Sequence, residues 1–209
     1  MIISVSGLDG SGKSTQVKML ERFLEGRGKD VRTRHLIRDS LTFFLTHRVI
    51  GRISGRARNG VEKSLRRKRA SLRFRFFSFV RKTLFLGELL YFNLRYLALR
   101  NKKRDILICD RYFYDAFVQM MYLGMAGKYF ARLYRALISA PDLAFYLEAV
   151  PETARERKME FDMKYFTYKA GLYDEYLPPE VLRIPQKSES EVSGEIRRYV
   201  LGSLEEGAI

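Results

Sequence analysis

Apolar residues recur along this chain in two ways: short unbroken runs, and longer stretches with one every third or fourth position. Residues 2–6, just ahead of a glycine cluster, form a run of the first kind and predict a buried strand. From Ser14 the rhythm changes. Val17, Leu20, Phe23 and Leu24 share one face of a helix, which Gly26 and Gly28 stop. Further strands are predicted over 30–37, 105–110, 143–147 and 181–184. Helices are predicted over 112–125 and 128–139, separated by Gly127 and closed by Pro141, with another opening near Pro151. Residues 158–178, charged and tyrosine-rich, read as a mobile segment and a helix before Pro178-Pro179. Ser188 and Glu191 form a capping-box pattern for a last helix through Ile196 and Val200. Strands alternating with helices bury a parallel sheet between two helical layers. The expected fold is therefore a three-layer α/β/α domain with a five-stranded, mainly parallel sheet, and residues 1–209 read as one domain.

Residues 40–104 stand apart. They read as largely helical, with Gly51, Gly55 and Gly60 in a flexible stretch, and they hold 18 Lys/Arg against 2 Asp/Glu. The whole chain has a net charge of +15, so this insertion carries all of the excess. In Phe74, Phe77, Val80, Arg81, Leu84 and Phe85 the apolar positions recur at helical spacing. Several readings stay open. The plainest is a helical insertion packed on the core with a solvated basic face. Another is docking of 64–100 to an anionic membrane surface. A third is binding of a polyanionic substrate. A nucleic acid partner is the least favoured.

One cysteine, Cys109, lies in an apolar run, which excludes an internal disulfide and predicts an inert core thiol. The opening residues lack the basic start of a leader peptide and run straight into the glycine cluster. Both features fit a cytoplasmic protein, one that would be peripheral to a membrane if the docking reading holds. His35 and His47 have no metal-ligand spacing and read as structural.

The chemistry is concentrated at the glycine cluster. Gly7-Leu8-Asp9-Gly10-Ser11-Gly12-Lys13-Ser14 fits G-x-x-x-x-G-K-[ST] and lies between a predicted strand and a predicted helix, as a phosphate-binding loop must. Gly7, Gly10, Ser11, Gly12, Lys13, Ser14 and Thr15 would cradle the phosphates of ATP with backbone N–H groups at a helix N-terminus. Lys13 would reach the β- and γ-phosphates, and the Ser14 hydroxyl would coordinate Mg²⁺.

Residues 7–16 resemble the opening of thymidylate kinases, as does Asp110-Arg111-Tyr112 at the end of the third strand. Pro141-Asp142-Leu143, Tyr146-Leu147-Glu148, Pro151-Glu152 with Arg157, and Val181-Leu182-Arg183-Ile184 continue the likeness over 1–39 and 105–205. The resemblance implies transfer of a phosphoryl group from ATP to a nucleoside monophosphate, and pairing as a homodimer through helices of the middle region. It implies that Asp9 meets the acceptor's sugar hydroxyl or a metal-bound water, that Asp110 orients the Mg²⁺ shell, and that Arg111 holds the acceptor phosphate. Arg157, with Arg155, Lys158 or Lys164, would supply charge from a lid over about 155–175. The likeness fails in two places. Arg38-Asp39 only approximates the segment after the second strand, so Arg38 is an expected contact to the acceptor phosphate and no more. The arginine that reads the base, expected near Glu88 and Leu89, is missing there. Tyr112 or Phe113 stacking on a base, and Asp115 accepting from it, are one reading of the residues after the Asp-Arg pair; packing of these aromatics in the core is the other, and the commoner for such a helix.

Overall fold

The computed structural model describes residues 1–36, 72–100, 105–157, 159 and 161–206. Arg38, Lys158 and the basic run at 66–69 lie outside them. The elements are β1 (Ile2–Gly7), α1 (Lys13–Glu25), β2 (Asp30–Arg34), α2 (Leu72–Arg100), β3 (Asp105–Asp110) and α3 (Phe113–Tyr122). Then follow α4 (Lys128–Leu137), β4 (Leu143–Leu147), α5 (Pro151–Arg157), α6 (Met163–Tyr176), β5 (Leu182–Ile184) and α7 (Glu189–Glu206).

The five strands form one sheet in the order β2-β3-β1-β4-β5, and every neighbouring pair is parallel. Side chains alternate across a strand, and the core divides accordingly. Ile3 and Val5 of β1, Ile106 and Ile108 of β3, and Phe145 of β4 pack with Val17, Leu20 and Leu24 of α1 and Val192, Ile196 and Val200 of α7. Ile2, Cys109, Ala144 and Tyr146 face the other layer, where Phe85, Leu89, Phe117, Tyr134 and Tyr173 close the core. Phe117 and Tyr134 stack there with centroids 4.7 Å apart. Cys109 is fully buried, and burial pushes its thiol up to about 12, as expected of an inert core cysteine.

The elements differ from the expected ones mainly at their ends. The second strand stops at Arg34. It pairs only with β3, so it is an edge strand, and most of its side chains are exposed. The helix expected from 112 begins at Phe113, because Tyr112 is extended and caps it. In α2, Ser78, Arg81, Phe85 and Leu89 form one buried stripe, while Leu72, Phe76, Phe79, Leu90 and Leu94 are exposed. Arg81 and Phe85, two of the residues at helical spacing, thus face the protein's own core. No helix among the described residues is long and apolar enough to cross a membrane.

Candidate functional site

The C-terminal ends of the central strands carry the site, the usual position for a ligand in an open parallel sheet. β1 runs into the glycine loop, and two backbones close tightly around it. A Cβ at Gly7 (φ +152°) would lie 2.7 Å from the Leu147 carbonyl oxygen, and one at Gly10 (φ +87°) 2.8 Å from that of Ala154. The chain turns into α1 at Gly12, which caps the helix with no side-chain hydrogen bond. The first-turn N–H groups are thus left without a side-chain cap, the arrangement that suits a phosphate.

Lys13 is buried beneath this loop, its Nζ donating to the Leu8 carbonyl and, at 3.3 Å, to Ser11 Oγ. Burial lowers its ammonium to about 7. The Arg111 cation acts in the same direction, while Asp115, Asp9 and Asp110 partly oppose it. A lysine so desolvated gains strongly from an added anion.

Ser14 Oγ donates to Asp110 Oδ2 at 2.8 Å. Parallel pairing of β1 with β3, in which Val5 stands opposite Asp110, brings the two residues together. Asp110 Oδ1 is buried with no hydrogen-bond partner among the described residues. An unsatisfied carboxylate oxygen beside a hydroxyl is the donor set a hard, hydrated cation takes, so these residues fit Mg²⁺. No cluster of three or more His, Cys, Asp or Glu suited to a metal occurs among the described residues.

The next residue, Arg111, adopts a left-handed backbone (φ +70°), and its N–H donates to the Val5 carbonyl at 3.0 Å. Such a conformation costs a non-glycine residue about 1–3 kcal/mol and persists only where its surroundings hold it. Here the guanidinium is held at both ends. Nη2 pairs with Asp9 Oδ1 from the glycine loop, and Nη1 lies 3.7 Å from Asp115 Oδ1. Burial opposes its charge, but Asp115 and Asp9 hold the guanidinium protonated more firmly than usual.

Asp9 has further partners. Its Oδ2 accepts from Tyr165 OH and from Lys169 Nζ at 3.3 Å, and Lys169 also donates to Tyr165 OH at 2.8 Å. Burial alone would raise the Asp9 carboxyl. Lys169, Arg111 and the Tyr165 hydrogen bond outweigh it and hold the carboxyl well below the usual range.

The remaining expected residues fall in different places. Asp115 accepts from Ser6 Oγ (2.6 Å), Tyr173 OH (2.7 Å) and the backbone N–H groups of Tyr112 (2.9 Å) and Gly7 (3.3 Å). Both oxygens are occupied inside the protein, so Asp115 here braces Arg111 and the start of the loop rather than accepting from a base. Tyr112 is completely buried, and its hydroxyl donates to the Ser139 carbonyl at 2.6 Å. Phe113 is buried and packs edge-on against Tyr112. Neither ring offers a free face for stacking, because both are packed into the core. Arg157 is exposed at the end of α5, its Nη1 3.3 Å from the Gly10 carbonyl. It borders a cleft of ≈470 Å³ between the loop and the β5–α7 connection, where Gly12, Thr15, Pro185 and Lys187 lie. Arg155 and Lys164 are exposed.

Three residues of the site went unforeseen. Tyr165, Lys169 and Tyr173 recur every fourth position of α6, one face of a helix. A lysine within an otherwise aromatic stripe was the available signal. Arg81 on α2 is a fourth candidate. It is buried, its Nη1 donates to Met125 Sδ at 3.2 Å, and its Nε has no hydrogen-bond partner among the described residues.

No family model matches the chain. It is 29% identical over 172 residues to "Probable thymidylate kinase 2" of Saccharolobus solfataricus, an alignment covering 82% of this chain and 70% of that one. It is 27% identical over 209 residues to "Probable thymidylate kinase" of Methanocaldococcus jannaschii, covering 96% and 95%. A 31-residue stretch is 58% identical to "Thymidylate kinase" of Chlorobaculum tepidum, covering 15% and 14%. The two long alignments span most of a chain whose parallel sheet carries a phosphate-binding loop on β1 and an Asp-Arg pair on β3, and over that length the chain is similar to thymidylate kinases.

Proposed function

We propose that this protein transfers the γ-phosphoryl group of ATP to a nucleoside monophosphate, with dTMP, giving dTDP, the first candidate. One observation carries the reading. Asp110 reaches the loop hydroxyl of Ser14 while its neighbour Arg111 reaches the loop carboxylate of Asp9. Contacts for a metal-bound donor and for an anionic acceptor thereby stand one residue apart. The names of the relatives support the same chemistry.

In this reading Lys13 and the N–H groups of residues 7–15 hold the donor phosphates. Ser14 and Asp110 hold Mg²⁺, which when bound there neutralises charge on the phosphate oxygens. Arg111 takes the acceptor phosphate in its planar fork, and Asp9 orients the acceptor. Arg157 covers the transferred group from a lid over about 155–175 and excludes water. All of 1–209 acts as one domain, with 40–104 as an insertion. Arg81 is the candidate donor to the base, since its Nε is buried without a partner and Tyr112 and Asp115 are engaged elsewhere.

The test is incubation with Mg-ATP and a panel of nucleoside monophosphates, following ADP. ADP formation that depends on dTMP supports the full reading. Dependence on another monophosphate changes the acceptor alone. Nucleotide binding with no acceptor-dependent turnover would replace it with a nucleotide-dependent binding protein.

A further inference from the structure

At the strand ends three basic side chains, Lys13, Arg111 and Lys169, are matched in number by three carboxylates, Asp9, Asp110 and Asp115, a balance of groups set up before any ligand arrives. An acceptor phosphate binding at Arg111 disturbs that balance, because it competes with Asp9 for one guanidinium. If Arg111 were its only partner, Asp9 would become a buried carboxylate beside an arriving dianion, and such an uncompensated charge is strongly unfavourable. The second oxygen of Asp9 does not depend on Arg111. Lys169 Nζ sits 3.3 Å from it on a side chain only 5% exposed. Tyr165 donates to the same oxygen and is itself clamped, stacked on Phe161 at 4.1 Å and edge-on to Tyr122 at 5.1 Å. Lys169 donates to the Tyr165 hydroxyl as well and is buried on its helix face.

We propose that Lys169 is a positioning residue for the acceptor: it neutralises Asp9 from behind, so that Arg111 can exchange the Asp9 carboxylate for the acceptor's phosphate. This rests on the nucleoside monophosphate kinase reading and adds a specificity to it. The acceptor subsite is tuned to a phosphorylated acceptor by a cation that does not touch it. A residue serving only packing would not depend on the charge of Asp9.

The experiment measures dTMP affinity calorimetrically for the intact wild-type protein, Lys169→Met, Lys169→Arg, Asp9→Asn and the double variant Asp9→Asn with Lys169→Met, with ADP as the control ligand. Lys169→Met should lose about 10-fold or more in dTMP affinity, as truncating one side of a buried charge pair does, and ADP affinity should hold. Lys169→Arg should restore most of the loss, and adding Lys169→Met to Asp9→Asn should cost little beyond what Asp9→Asn alone costs, since that background lacks the charge that needs compensation. Unchanged dTMP affinity in Lys169→Met, or an equally large further loss in the Asp9→Asn background, overturns the inference while leaving the kinase reading standing. Wild-type protein that binds ADP but no nucleoside monophosphate overturns that reading and this inference with it. If Lys169→Met does not fold, Tyr165→Phe, which removes the other donor to the same oxygen, must show a smaller loss for dTMP alone, and equal affinities there count against the proposal.

Discussion

Ser14 and Asp110 meet through a 2.8 Å hydrogen bond across 96 positions of chain. The contact exists because β1 and β3 are parallel neighbours with Val5 opposite Asp110, so the start of α1 and the end of β3 lie at the same end of the sheet. Asp110 Oδ1 stays unsatisfied beside it. We expect Asp110→Asn to raise the Mg²⁺ concentration needed for half-maximal turnover by about 10–100-fold, the usual cost of altering a metal's supporting carboxylate. ADP binding measured in EDTA should hardly change. A Mg²⁺ titration of turnover that coincides with wild type would remove Asp110 from the metal's surroundings.

Lys13 gives a prediction in protons. Burial, with Arg111, holds its ammonium at about 7 in the free protein, against an ordinary value of 10.5. Bound phosphates favour the charged form, so they raise that value back towards the ordinary one. The sign follows. Between pH 7 and 10.5 the free protein holds Lys13 partly neutral and the complex holds it protonated, so nucleotide binding takes up protons in that window. Calorimetric titration with ADP at pH 8, repeated in buffers of different ionisation enthalpy, measures the uptake. It should disappear in Lys13→Ala, whose turnover should fall about 10²–10³-fold or further while its circular dichroism stays native.

Arg111 should separate the two substrates. Its guanidinium reaches Asp9 and Asp115, and its side chain is about one-fifth exposed. Arg111→Ala removes a charged fork suited to an acceptor phosphate, so we expect kcat/KM for the acceptor to drop about 10²-fold or more. The dissociation constant for ADP should move far less. Equal losses for both ligands would place Arg111 on the donor side or in the fold.

Gly10 tests how tightly the loop is held. It combines φ +87° with an approach of 2.8 Å between its would-be Cβ and the Ala154 carbonyl oxygen. Gly10→Ala must strain the backbone and push α5 away from the loop. About 1–3 kcal/mol of stability should be lost in urea unfolding, and ADP affinity with it, since Arg157 and the cleft wall ride on α5. Wild-type affinity in Gly10→Ala would mean that α5 stands off the loop in solution.

The parts of this architecture that were legible in the sequence share a local cause. The loop is a contiguous motif between an apolar run and a helical period, and each of the five strands is a short run that pattern locates, although the second, expected over 30–37, ends at Arg34. Asp110-Arg111 is legible for the same reason, being a charged pair that ends an apolar run. Non-local packing is not written that way. Lys169 serves Asp9, a residue 160 positions away, and only the folding of α6 across the strand ends reveals it. Tyr112 and Asp115 look like binding residues because they follow Arg111, yet one is packed in the core with its hydroxyl on the Ser139 carbonyl and the other is held by Ser6 and Tyr173.

Asp115 closes the case for a brace rather than a ligand contact. Its carboxylate accepts hydrogen bonds from Ser6, Tyr173 and the N–H groups of Tyr112 and Gly7, and it faces Arg111 at 3.7 Å. It thus ties the end of β1, the start of α3 and the middle of α6 to one point. Asp115→Ala would strand buried donors on all three elements and leave Arg111 with Asp9 as its remaining carboxylate among these contacts, a loss of about 3–5 kcal/mol by the behaviour of broken buried charge pairs. Asp115→Asn keeps one acceptor oxygen but turns an amide N–H₂ towards groups that themselves donate, so it should recover only part of that stability. Urea unfolding monitored by tyrosine fluorescence ranks the variants, and wild type, Asn and Ala should fall in that order. The acceptor preference of whatever Asn variant folds should be unchanged. A fully stable Asp115→Asn protein with an altered choice of nucleoside monophosphate would show that the carboxylate leaves its internal partners to read the acceptor.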